Sequence, residues 1–226
     1  MKKSLEDKID RFLNSLPNSP SKDLVSSTTD NLYEAYIYVL VAKAFLNDGW
    51  DLTHFNINQV TSPSEFVFRT SPGKIWSKHR EYSYLVASKD NRSYEVHMGV
   101  EIEGKSGIES EIDISVILHQ AAEEARNKPR EKQVKSIHVP IVIECKCYTS
   151  YLNKSLGREF LGLVKDFSAP KNGLRIMATN LNDNLPVATM IRHHGFKFSG
   201  NLTPLSSKVR VSSFLGYISE SLPNLK

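Results

Sequence analysis

The stretch 139-VPIVIECKCYTS-150 decides how the chain is read. An apolar run, Ile141-Val142-Ile143, leads into Glu144 and Lys146, with Cys145 and Cys147 at the alternate positions. Side chains on a strand alternate faces, so Ile141, Ile143, Cys145 and Cys147 share one face. Pro140, Val142, Glu144 and Lys146 share the other. On a helix, residues two apart diverge by about 200°, so Glu144 and Lys146 meet only on a strand. The apolar run marks that strand as central. A carboxylate and an ammonium at the end of a central strand are costly unless paired or used.

A second segment repeats the pattern. In 108-IESEIDISVI-117, alternation places Ile112, Ile114 and Val116 on one face and Glu109, Glu111 and Asp113 on the other. Residues 101–113 hold five acids and one lysine, whereas residues 140–175 hold six Lys or Arg and three acids. Crowded carboxylates repel one another, and a hard cation such as Mg²⁺ is one way to stabilise them. An acidic pocket beside a basic surface suits a metal-dependent enzyme acting on a polyanion.

The rest of the chain is consistent with a globular α/β protein. Its 226 residues are 40% hydrophobic and 24% charged, with a net charge of +4. That charge permits a nucleic-acid partner without requiring one. No apolar run approaches the roughly 18 residues that cross a bilayer. Residues 1–16 carry charges throughout and no signal-type apolar block, which predicts a cytoplasmic protein without a membrane partner. The two cysteines, two apart, would make a strained disulfide and are too few for a zinc site; they read as small core residues.

Apolar spacing predicts an amphipathic helix over 4–16, separated by 16-LPNSPS-21. Residues 1–25 are therefore read as helix and linker, and 26–226 as the main domain. A second helix, apolar almost all round, runs from Thr29 or Asp30 to Gly49. Strands are expected at 65-EFVFRT-70, 81-EYSYLVAS-88, 94–104, 110–119, 139–148 and 173–180, and a short one at 196-FKFSG-200. Helices are expected near 120–128, 157–168 and 184–195.

Asp113, thirty intervening residues and then Glu144-Cys145-Lys146, worded EIDI and VIECK, resemble the PD-(D/E)XK nuclease superfamily. This superfamily includes type II restriction enzymes, Mrr-like enzymes and Holliday-junction resolvases. The resemblance spans about residues 28–198. It implies a restriction endonuclease-like αβββαβ core, a central mixed sheet flanked by helices. The chain departs from the pattern in lacking the proline, with Ile112 before Asp113, and in the long excursion 119–138. It also has no clear glutamine-containing helix motif after the lysine.

The resemblance implies a Mg²⁺-dependent endonuclease, with Mn²⁺ able to substitute, cutting double-stranded DNA in restriction or anti-phage defence. Asp113, Glu144 and the Cys145 backbone carbonyl would hold the metal. Lys146 would orient or deprotonate the attacking water. Glu34, on the second helix, joins such sites in many members; the alternative is an exposed helix glutamate. Glu111 is a further candidate, and Glu109 reads as solvated.

Lys154, Arg158 and Lys165 are candidate phosphate contacts, as are Lys74, Lys78 and Arg80 around Trp76, against ordinary solvated faces. His97 and His119, on expected strands, read as packing residues, and His193 and His194 as surface residues at a helix end. A homodimer is expected, because one site cuts one strand. The alternative is a nuclease-like chain that binds nucleic acid without cutting it, or an assembly subunit.

Overall fold

The computed structural model describes residues 28–222 apart from 62–65, 130, 168–172 and 184. The helix expected over 4–16 lies outside the described residues. One seven-stranded mixed sheet organises the chain, with its strands ordered β1 to β7 as in the sequence. The strands are β1 (Asp51–Asn56), β2 (Ser83–Lys89), β3 (Arg92–Glu103), β4 (Glu109–Leu118), β5 (Ile141–Lys146), β6 (Leu174–Thr179) and β7 (Lys197–Ser199). Neighbours from β1 to β5 are antiparallel, and β5, β6 and β7 are parallel. Parallel neighbours need crossover connections, which α3 (Lys154–Asp166) and α4 (Pro186–His193) supply.

Helices cover both faces. On one, α1 (Thr29–Asn47) and α5 (Lys208–Ser221) pack on Val96, Ile114, Ile141, Ile143 and Ile176. On the other, α2 (His119–Asn127) packs on Val100, Ile102 and Val142, and α3 and α4 pack on Met177 and Phe198. The α1 sequence has no polar stripe because the helix is buried nearly all round, with Tyr33, Ala35, Ile37, Val41, Ala44 and Phe45 fully enclosed. Its N-cap is Thr28, whose hydroxyl accepts from the Asn31 N–H, one residue before the expected cap.

Four expectations need correction. The run 65–70 supplies Phe66 and Phe68 to the core, but residues 67–70 form no strand; Val67 is tied to Ser83 instead. β1 was not expected, because DLTHFN has only two apolar side chains, which suffices for a half-exposed edge strand. α5 was not expected either. Its valines, serines and Gly216 have weak helix propensity, and packing against α1 and β6 overrides it.

The fourth correction concerns Ile112. It joins Val100 and Ile102 on the α2 side, not Ile114 and Val116 on the α1 side. The β3–β4 register runs Met98↔Ile114 and then Val100↔Ile112, leaving Gly99 opposite Asp113. Gly99 has φ +62°, a left-handed conformation that glycine adopts without penalty. The ribbon turns over at this pair, so residues on either side of it face different helix layers.

Candidate functional site

The site lies where β4 and β5 part. They pair only from Ile114↔Ile143 to Val116↔Ile141, while β5 runs on to Lys146 and β4 begins at Glu109. Beyond Ile143 the β4-facing edge of β5 has no strand partner. An unpaired N–H there needs an acceptor. The Asp113 carboxylate provides it, its Oδ2 accepting from the Cys145 N–H at 2.7 Å. In an extended strand a residue's N–H and C=O leave on the same side, so the Cys145 carbonyl also faces the fork. The Cys145 side chain is in the core, and Cys147 packs against it, as expected from alternation.

Lys146 Nζ stands 3.1 Å from Glu144 Oε2 and 3.8 Å from Asp113 Oδ2. The three residues singled out in the sequence are therefore in contact. Glu144 is buried, and its other oxygen, Oε1, has no hydrogen-bond partner. Burial, then Asp113, pushes the Glu144 carboxyl up to about 8. Burial raises Asp113 too, against the opposing pull of Lys146 and the Cys145 N–H. Burial alone would lower Lys146, but Glu144 and Asp113 outweigh it and hold the ammonium above its ordinary value.

Glu34 turns towards this group from α1. Burial, followed by Asp113 and Glu111, pushes its carboxyl up to about 9. Glu111 is raised by burial and then by Asp113. The structure thus favours Glu34, half-buried, as a neighbour of the trio over an exposed helix glutamate, whereas Glu111 is exposed beside it. Asp30, four residues before Glu34, adds to the same field. Its i, i+4 spacing with Glu34 was the available signal, and it went unread in the sequence.

These raised values have a testable consequence. Glu34 keeps its proton in the folded chain up to about 9, whereas an unfolded glutamate loses it near about 4.3. Between these values the folded state binds more protons, so stability falls as pH rises. Glu34→Gln is expected to melt higher at pH about 8, on the order of 2–4 °C for about 1 kcal/mol. It should also flatten the fall in melting temperature between pH about 6 and about 9. Scanning calorimetry of both proteins across that range checks it; a pH-independent difference contradicts it.

The other candidates separate clearly. Lys74 is ion-paired with Glu101 at 2.9 Å and with Glu109, so it neutralises acids of β3 and β4 instead of facing an open surface. Glu109 is accordingly half-buried and paired, not solvated. Lys78 and Arg80 are exposed, and Arg80 reaches Ser71. Trp76 packs partly buried on the core beside α2, which removes it as a free stacking group. Lys154, Arg158 and Lys165 are exposed on α3 and make no ion pair among the described residues. His193 and His194 are exposed at the end of α4, as expected.

Arg69, which the sequence did not single out, lies over the Tyr82 ring at 3.7 Å, packs beside Gly73 and Gly99, and donates to the Lys74 carbonyl at 3.3 Å. A Cβ at Gly99 would stand 3.1 Å from Arg69 Cδ and 3.5 Å from Glu111 Oε1.

A second charged cluster was missed. Glu95, fully buried on β3, accepts from both Arg126 amino groups, from His119 Nδ1 at 2.6 Å and from His97 Nε2 at 2.7 Å. Burial would raise its carboxyl, but Arg126, His119 and His97 hold it well below the usual range. His97 is buried and stacked on Tyr84, as a packing residue should be. His119 is not on a strand; it opens α2, and Glu95 raises it. The cluster clamps α2, which lies between the two site strands in sequence, onto β3.

No protein-family model matches the chain, and no curated protein matches it. No helix among the described residues is long and apolar enough to cross a membrane.

Proposed function

We propose that this chain is a divalent-metal-dependent endonuclease of the restriction endonuclease-like type, acting on DNA. The observation that carries the reading is the Asp113–Glu144–Lys146 constellation at the β4–β5 fork, with Glu144 Oε1 buried and unpartnered. With β1, β2 and α2 as additions, the remaining order α1, β3, β4, β5, α3, β6 supports it, since it follows the αβββαβ sequence that the motif implies.

The residues fit a hard cation. Glu34, Glu111, Asp113 and Glu144 are four carboxyls around one cation, Lys146; burial first, and then their mutual repulsion, raises them, so a bound cation would favour their ionised forms. Oxygen-rich, negatively charged surroundings suit Mg²⁺ or Mn²⁺. Among the described residues no three His, Cys, Asp or Glu side chains form a ready metal-binding group. The fit therefore rests on the gathered carboxyl oxygens and on the orphan Glu144 oxygen. Asp113, Glu144 and the Cys145 carbonyl would hold the ion, with Glu34 and Glu111 beside it. The ion would supply Lewis acidity towards a phosphate oxygen and a bound water of lowered pKa.

The remaining work falls to the protein. Asp113 fixes the end of β5 through the Cys145 N–H and so sets the positions of Glu144 and Lys146. Lys146 presents three N–H donors where charge grows on phosphorus, in a partly buried site that strengthens the interaction. Lys154, Arg158 and Lys165 give the backbone phosphates a cationic track along α3.

Lys146→Ala tests this reading. It is expected to slow cleavage of a labelled duplex in Mg²⁺ by about 10²- to 10⁴-fold while leaving DNA affinity nearly unchanged. Wild-type cleavage rates in that variant would remove Lys146 from the reaction. A second reading, a nuclease-like fold that binds nucleic acid without cutting, draws on one observation: Lys146 already neutralises Glu144 and Asp113. Cutting both strands would call for two copies of the chain, and light scattering with and without DNA reports that assembly.

A further inference from the structure

The loop after β5 is fixed at both ends and nevertheless displays aromatic side chains to solvent. Asn180, just past β6, accepts from the Tyr148 N–H at 2.9 Å and donates to the Tyr148 carbonyl at 2.8 Å. Its carboxamide continues the β5–β6 ladder one step beyond Lys146↔Thr179. Leu152 anchors the far end in the core of α3 and α4. Asn153 then caps α3, accepting from the Ser155 N–H. Between these anchors, Tyr148 is 39% and Tyr151 67% exposed. They are the only aromatics among the large hydrophobic side chains exposed in the described residues. Core packing does not account for them.

Their surroundings identify a partner. Tyr148 lies two residues beyond Lys146, and Lys154 and Arg158 follow, exposed and without an ion pair among the described residues. Aromatic rings followed by free cations match a nucleic-acid strand, whose bases offer π-faces and whose phosphates offer charge. In an intact duplex those faces are covered by stacking, so a tyrosine reaches one only where a base is unpaired. A backbone pinned before binding gives up little conformational entropy when the ring is covered.

We propose that Tyr148 and Tyr151 form a stacking platform for an unpaired base beside the cleaved phosphate. The preferred substrate is then DNA with a single-stranded segment, such as a flap, bubble or overhang, over uninterrupted duplex. The proposal rests on the nuclease reading for the word "cleaved", and on the loop alone for the binding.

Fluorescence anisotropy of the full chain tests it in EDTA, where affinity is read without cleavage. The probes are a labelled single strand, a blunt duplex and a duplex carrying a single-stranded flap. The wild type is expected to prefer the single strand and the flap to the blunt duplex. Tyr148→Ala with Tyr151→Ala should weaken those two by roughly 10- to 100-fold and change the blunt duplex little. Tyr148→Phe with Tyr151→Phe should retain the affinity, and melting curves should show all variants folded, since both rings are exposed. Equal losses on all three probes, or no loss, overturn the proposal. So does altered self-association of the Ala variant without any change in DNA affinity, which would make the loop a protein interface. A preference for unpaired DNA without cleavage in Mg²⁺ would leave the platform standing and end the nuclease reading. Cleavage of blunt duplex unaffected by the tyrosine changes would do the reverse.

Discussion

Asp113→Asn is expected to abolish DNA cleavage while the protein stays folded. The substitution keeps the shape of the side chain, and the Asn carbonyl oxygen can still accept from the Cys145 N–H, as Asp113 does at 2.7 Å. The end of β5 therefore stays in place. What disappears is the negative charge facing Lys146 and the proposed cation. Loss of metal-based stabilisation of the transition state is worth several kcal/mol, at least about 10³-fold in rate. Because burial already disfavours the ionised Asp113 carboxyl, the neutral variant should melt no lower than the wild type. Cleavage rates and melting curves measured on the same preparation check both halves. Wild-type cleavage by Asp113→Asn would remove the residue from the site. Lost cleavage accompanied by an unfolded protein would make its role structural.

Arg126→Met is expected to cause the largest loss of stability. Arg126 supplies both amino groups to the fully buried Glu95 carboxylate, and its own side chain is almost wholly enclosed. Removing it leaves a buried charge with only His97 and His119 as donors. Breaking a buried pair in this way costs about 3–5 kcal/mol, or a fall of roughly 6–20 °C in melting temperature at about 2–4 °C per kcal/mol. Adding Glu95→Leu removes the stranded charge and should restore much of the loss. If Arg126→Met melts within about a degree of the wild type, the clamp contributes nothing to holding α2 on the sheet.

The two clusters differ in how far local spacing revealed them. Glu144 and Lys146 stood out because a central apolar strand cannot carry an acid and a base on one face without a reason, and Asp113 stood out from the acidic run before it. Each signal lies within about a dozen residues. Glu95 and Arg126 are 31 residues apart, on β3 and α2, and no periodicity connects them. His119 looked like the end of a strand because β4 passes directly into α2 at Leu118.

Strand alternation placed Cys145 in the core correctly but failed at Ile112, because a single glycine on the neighbouring strand turns the ribbon. Nothing in the residues around Ile112 marks that turn. Glu34 was legible only as an oddity in a buried helix; its direction came from the fold. Tyr148 and Tyr151 were passed over because exposure is decided by loop anchors, and one of these, Asn180, lies just past the end of another strand.

The central claim is that the β4–β5 fork cuts DNA with the help of a divalent cation. Incubating the purified chain with supercoiled plasmid in Mg²⁺, in Mn²⁺ and in EDTA, with Asp113→Asn alongside, tests it most directly. The account predicts nicked or linear product from the wild type in either metal, none in EDTA and none from the variant. Intact plasmid after incubation in both metals, with folded protein that retains DNA in the same buffer, would contradict it.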